Sequence, residues 1–168
     1  DPFVFLCNST FVEPDWLPMS LRLMEDDPKA GLVGCKILYP ETSLIIEAGL
    51  HVFPNLARQN IGINEPGHRY CHIREVNAVG WSAPLIRRAA LPPEGLDEDF
   101  YYGFRGFDDW DNCLEIKRRG WKIYYNGLGV VYHKLSASQG GGTEQGRIEC
   151  NENCRRFEEK WRGKVPPI

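Results

Sequence analysis

Residues 95–133, GLDEDFYYGFRGFDDWDNCLEIKRRGWKIYYNGLGVVYH, decide how this chain is read. In the middle of the stretch, Asp108, Asp109 and Asp111 stand where a helix should begin, and Trp110, Cys113, Leu114 and Ile116 follow at helical spacing. Arg118 and Arg119 fall in the last turn with Gly120 just beyond, the order of charge and cap that a helix favours. Downstream, residues 122–125 and 130–132 read as two short strands, the second delivering His133 at its end. Upstream, residues 95–100 form a turn loaded with carboxylates, followed by Tyr101, Tyr102, Phe104 and Phe107.

The acidic cluster admits two readings. Carboxylates at a helix N-terminus cap free N–H groups and complement the dipole whatever the protein does. Adjacent aspartates at a buried helix start, lined by aromatic rings and followed by a strand-end histidine, also make a sugar site with a general base and a metal or phosphate ligand.

Working outward, the 168-residue chain has an ordinary globular composition, 42% hydrophobic and 26% charged, which predicts a single domain, residues 1–168, with a real core. Its net charge of -3 offers no basic stripe for phosphates and so argues against nucleic acid as a partner. No apolar run reaches the length of a membrane span. The six cysteines are scattered; Cys7, Cys35, Cys71 and Cys113 read as small buried hydrophobes of a reducing compartment. Cys150 with Cys154, and His68 with Cys71 and His72, are local clusters without a complete zinc ligand set.

The first residues, 3–6, are consistent with a buried strand. Leu17, Leu21 and Met24 make a helical stripe over residues 15–25 that Pro28 ends. Residues 31–38 and 44–53 are strand candidates, whereas residues 54–72, rich in Pro, Gly, Asn and His, read as a long surface loop. Residues 134–146 carry Gly140, Gly141 and Gly142 and read as a flexible loop, a Gly-rich linker to the last helix. A closing helix over residues 147–162 follows, with Ile148, Cys150 or Asn151, Cys154, Phe157 and Trp161 as its apolar stripe.

Several of these motifs, in order, resemble the C-terminal part of a family-2 glycosyltransferase of the GT-A fold, in its bacterial rhamnosyltransferase-like branch. The matching segments are residues 95–100, Asp108-Asp109 with Asp111, Gly120 with Lys122-Ile123, residues 130–133, and Asn153 to Phe157 with Glu159-Lys160-Trp161. The resemblance implies an α/β, Rossmann-related mixed sheet flanked by helices. The implied reaction is inverting transfer of a sugar from a nucleotide-sugar donor to a hydroxyl of a glycan or lipid-linked acceptor. It implies a cytoplasmic enzyme, peripheral to the inner face of the membrane at most.

On that resemblance Asp109 is the general base and Asp108 orients the acceptor or tunes its neighbour. Trp81, Trp110, Asp111 and Tyr102 are expected to contact the acceptor, and Asn8 and Ser9 the donor. His133 is expected to assist a divalent cation, manganese or magnesium, at the leaving diphosphate. Two departures qualify it. Ser9 occupies the position of the family's metal-binding Asp, and a hydroxyl is a poor ligand for a hard cation. The βαβ half that carries the nucleotide base in the family has no counterpart ahead of residue 3, so the sequence reads as a fragment or truncated relative, with a missing N-terminal half or partner domain.

Trp81 falls where the family has a small glycine; it either fills core space or offers a platform to a sugar. The rival to an enzyme is a catalytically inactive relative retained as a carbohydrate-binding or assembly module.

Overall fold

The computed structural model describes every residue except 94, 98, 102–105 and 135–142. The architecture is α/β, a mixed seven-stranded sheet with three α-helices among the described residues. At its centre lies β3 (Ala30–Leu38), every residue of which is buried. That burial on both faces explains its unbroken apolar composition, AGLVGCKIL, in place of an alternating pattern. Beside it runs β9 (Lys122–His133), the one parallel neighbour of β3. The remaining ladders are antiparallel: β8 (Leu85–Arg87) and β4 (Ile45–Glu47) on β3, and β1 (Pro2–Val4) on β8. On β9, β7 (Ile73–Val76) pairs with the first half and β2 (Thr10–Val12) with the second. A separate hairpin joins β5 (Leu50–Val52) to β6 (Arg58–Asn60).

The two strands expected within residues 122–133 are one strand with a bulge. The register with β3 passes from Cys35 opposite Asn126 to Lys36 opposite Val130, leaving residues 127–129 looped out. Gly127 is required there, because a Cβ at that position would run into the Tyr70 carbonyl.

Helix α1 (Trp16–Asp26) buries Trp16, Ser20 and Met24, one stripe at four-residue spacing, and ends where Pro28 follows. Helix α2 (Asp108–Arg118) begins and ends as its sequence predicts. Helix α3 (Glu144–Trp161) starts three residues earlier than predicted, with the Thr143 hydroxyl accepting the Gly146 N–H at 3.1 Å as an N-cap. Its buried positions are Gly146, Asn153, Phe157 and Trp161, so Ile148 and Cys150 are exposed and the predicted stripe holds only in the last turns.

Two further expectations are corrected. Residues 3–6 do not form a buried strand: β1 is short and lies at the sheet edge, and Phe5 and Leu6 are exposed. Residues 54–72 are not all loop, since Arg58–Asn60 pair with β5. Of the predicted flexible loop, residues 135–142 lie outside the described residues. No helix among the described residues is long and apolar enough to cross a membrane.

Candidate functional site

A cleft of about 680 Å3 opens where the N-terminus of α2 meets β4, the 80–82 turn and the end of β9. Asp108, Asp109, Trp110, Trp81, Glu47 and His133 line it together, so residues far apart in sequence converge.

The start of α2 is set by an unusual backbone. Phe107 lies in the left-handed region, with φ of 76°, a conformation costly for a bulky side chain. Its ring is pinned by Phe157 at 5.6 Å and by the Arg58 guanidinium at 4.9 Å. The packing fixes that turn, and the helix then starts with Asp108 exposed and Asp109 half-buried on the cleft wall.

Asp109 Oδ1 accepts the Trp110 N–H at 2.8 Å. Burial, and then the charge of Asp108, push its carboxyl up to about 7. Across the cleft, Glu47 is 5% exposed, and its Oε1 accepts the Gly80 N–H at 2.7 Å. Burial drives Glu47 up to about 8, with Asp109 adding to the rise against the Gly80 hydrogen bond. Gly80 leaves room for this arrangement, since a Cβ there would sit 2.5 Å from Glu47 Oε2 and the carboxyl would have to shift. Sequence reading missed Glu47. The signal was present in Leu44-Ile45-Ile46-Glu47-Ala48-Gly49-Leu50, where a lone acid interrupts an apolar run and must be buried with its neighbours.

Asp111, expected beside the acceptor, is placed elsewhere. Its Oδ1 accepts the Trp161 indole N–H at 2.6 Å and its Oδ2 the Lys160 ammonium at 2.8 Å, which joins α2 to α3 and turns the carboxylate away from the cleft. Trp110 and Trp81 do line the cleft. Trp81 donates its indole N–H to Cys113 Sγ at 3.4 Å and its ring packs 5.8 Å from Phe5, as a space-filling residue would. Tyr102 lies outside the described residues.

The far end of the cleft is built by the pairing of β2 with β9. Thr10 stands opposite His133, and the Lys134 N–H donates to the Ser9 carbonyl at 3.1 Å, so Ser9 meets the histidine. His133 Nε2 shares a hydrogen bond with Ser9 Oγ at 2.9 Å, and Nδ1 shares one with Ser82 Oγ at 3.2 Å. Cys7 Sγ lies 3.7 Å from Nε2. Burial lowers the pKa of His133, favouring the neutral ring. Asn8 is exposed and is not part of the cleft wall.

These groups offer a cation one imidazole, two hydroxyls and a thiol, whereas manganese or magnesium seeks carboxylate and other hard oxygen ligands. Among the described residues no three of His, Cys, Asp and Glu gather as a metal site, at His133 or at the two cysteine clusters. The donor set does not suit a hard cation. Of the four cysteines expected to be buried, Cys35 and Cys113 are; Cys7 is half-buried and Cys71 exposed, because both lie in loops at the sheet margin.

No protein-family model matches the chain, and a search of curated proteins finds no match.

Proposed function

We propose that this chain is a glycosyltransferase of GT-A-like architecture, moving a sugar with inversion from a nucleotide-sugar donor to a hydroxyl of a glycan or lipid-linked acceptor. Asp109 carries the reading: a carboxyl on the wall of an aromatic-lined cleft, pushed up to about 7, is matched to taking a proton near neutrality. The acceptor oxygen attacks the anomeric carbon as its proton passes to Asp109, and the bond from that carbon to the diphosphate oxygen breaks. Glu47, protonated up to about pH 8, keeps its proton while Asp109 takes one, so two neighbouring carboxyls divide the donor and acceptor roles. Trp81 and Trp110 present ring faces to the sugar. His133, Ser9 and Ser82 supply hydrogen bonds to the departing diphosphate, with no step assigned to a metal.

The neutral, soft surroundings of His133 favour a second reading, a carbohydrate-binding module without transfer activity. Calorimetric titration with UDP, GDP and dTDP, with and without manganese, separates the two. The transferase reading predicts nucleotide binding that is weakened by His133→Ala. Sugar binding lost on Trp110→Ala, with no nucleotide bound, selects the binding module.

A further inference from the structure

Lys36, in the middle of β3, is 1% exposed, yet neither of its polar partners is a carboxylate. Its Nζ donates to the Gly67 carbonyl at 2.8 Å and to Cys71 Sγ at 3.0 Å. Cys71 is exposed, and the segment carrying it is fastened to the sheet on either side. The Tyr125 hydroxyl donates to the Tyr70 carbonyl at 2.9 Å and the Gly127 N–H to the His72 carbonyl at 3.0 Å. A thiol open to solvent is thus held against a buried primary amine by contacts that leave both little room to move apart.

The other cysteines lack this combination. Cys35 and Cys113 are buried, away from dissolved oxidants. Cys154 faces the Arg58 guanidinium, whose delocalised nitrogens are poor nucleophiles, at 3.3 Å. Cys150 is exposed on α3.

We propose that Cys71 and Lys36 form an oxidative modification site at which peroxide joins Sγ to Nζ through a single oxygen atom. The inference is independent of sugar transfer. One peroxide converts the thiol to a sulfenic acid and releases one water. A second peroxide oxidises the sulfenic acid and amine together: the N–O bond forms, two waters leave, and the extra proton of the Lys36 ammonium goes to solvent. A direct nitrogen–sulfur bond is far shorter than the present 3.0 Å separation, whereas one intervening oxygen spans nearly all of it. The bridge would lock the segment that contributes Ile63 to the cleft wall onto the strand that contributes Ile37.

The test is mass spectrometry of the full chain after hydrogen peroxide, digested without reductant. The expected product is a linked pair of peptides carrying Lys36 and Cys71, heavier than their sum by about 14 Da and released by dithiothreitol. Lys36→Arg and Cys71→Ser should each abolish it, and Cys71→Ser changes an exposed side chain, so its circular dichroism should stay unchanged. A pair lighter than the sum by about 2 Da would replace the oxygen bridge with a direct bond and overturn the proposal. Dimedone-labelled or sulfinic Cys71 with Lys36 unlinked would overturn it too, as would exclusive oxidation at Cys150.

Discussion

Asp109 and Asp111 stand two residues apart in the first turn of α2, and their surroundings assign them opposite tasks. Asp111 is 4% exposed and gives both oxygens to α3, through Lys160 and the Trp161 indole. Asp109 faces the cleft with Asp108 and Glu47 for company, and burial, then the charge of Asp108, raise its proton affinity where a cation would have lowered it. Burial raises the pKa of Asp111 as well, with Lys160 and Trp161 opposing but not reversing the rise. A buried acid whose charge is answered by a partner holds a structure together. One whose charge is unanswered is available for proton transfer.

Removing Asp111 should break the structural half of this comparison with the largest effect. Asp111→Ala leaves the buried Trp161 N–H without its acceptor at the α2–α3 seam, while Lys160 keeps Glu115 at 3.3 Å, and denaturant unfolding should record a loss of about 2–3 kcal/mol. A loss below 1 kcal/mol would mean that solvent replaces the carboxylate there. Asp109→Asn sharpens the other half: turnover should fall roughly a hundredfold or more with donor affinity kept. Its stability at pH 8 should not drop, because the substitution removes a charge that the fold disfavours. Unchanged turnover would remove Asp109 from the role of base.

Gly80→Ala probes how Glu47 is seated. The added methyl meets Oε2, so we expect a cost of about 1–3 kcal/mol and a cleft carboxyl displaced from the Gly80 N–H. Wild-type stability at pH 7 would deny that close contact.

The smallest effect, taken per pH unit, is on the slope of stability with pH. Glu47 in the fold binds its proton up to about pH 8 but in the unfolded chain only up to its ordinary value near 4.5. Between those limits the folded state holds the extra proton, so stability falls as pH rises, by up to about 1.4 kcal/mol per unit from this residue. Glu47→Gln should flatten thermal midpoints measured across that window by removing its share, leaving the part due to Asp109. An unaltered slope would place the Glu47 titration outside the window.

How much of this was legible in the sequence follows from the range of the forces involved. Helix α2 was readable because its period, its acidic first turn and Gly120 are local signals that agree. β9 was read as two strands because Gly127, Leu128 and Gly129 interrupt the apolar run. The need for Gly127 comes from the Tyr70 carbonyl, 57 positions away in the chain, which no local pattern reveals. β6 was invisible because Arg58, Gln59 and Asn60 have no strand-like side chains and are ordered by pairing with β5. At the candidate site, Asp108, Asp109, Trp110, Trp81 and His133 do converge on one cleft. The difference between Asp109 and Asp111 could not be read, since it depends on where Lys160 and Trp161 arrive from the far end of the chain. Glu47 is legible as a buried acid from the apolar run around it, but that it faces Asp109 is set only by the tertiary fold.

The most direct test of the contrast is a carbon-13 NMR titration of the side-chain carboxyls, with Asp109 assigned through Asp109→Asn. The account predicts a midpoint near 7 for Asp109, shared in part with Glu47 because the two groups interact. A midpoint in the ordinary aspartate range, near 3.8, would contradict the claim that this carboxyl is held ready to accept a proton at neutral pH.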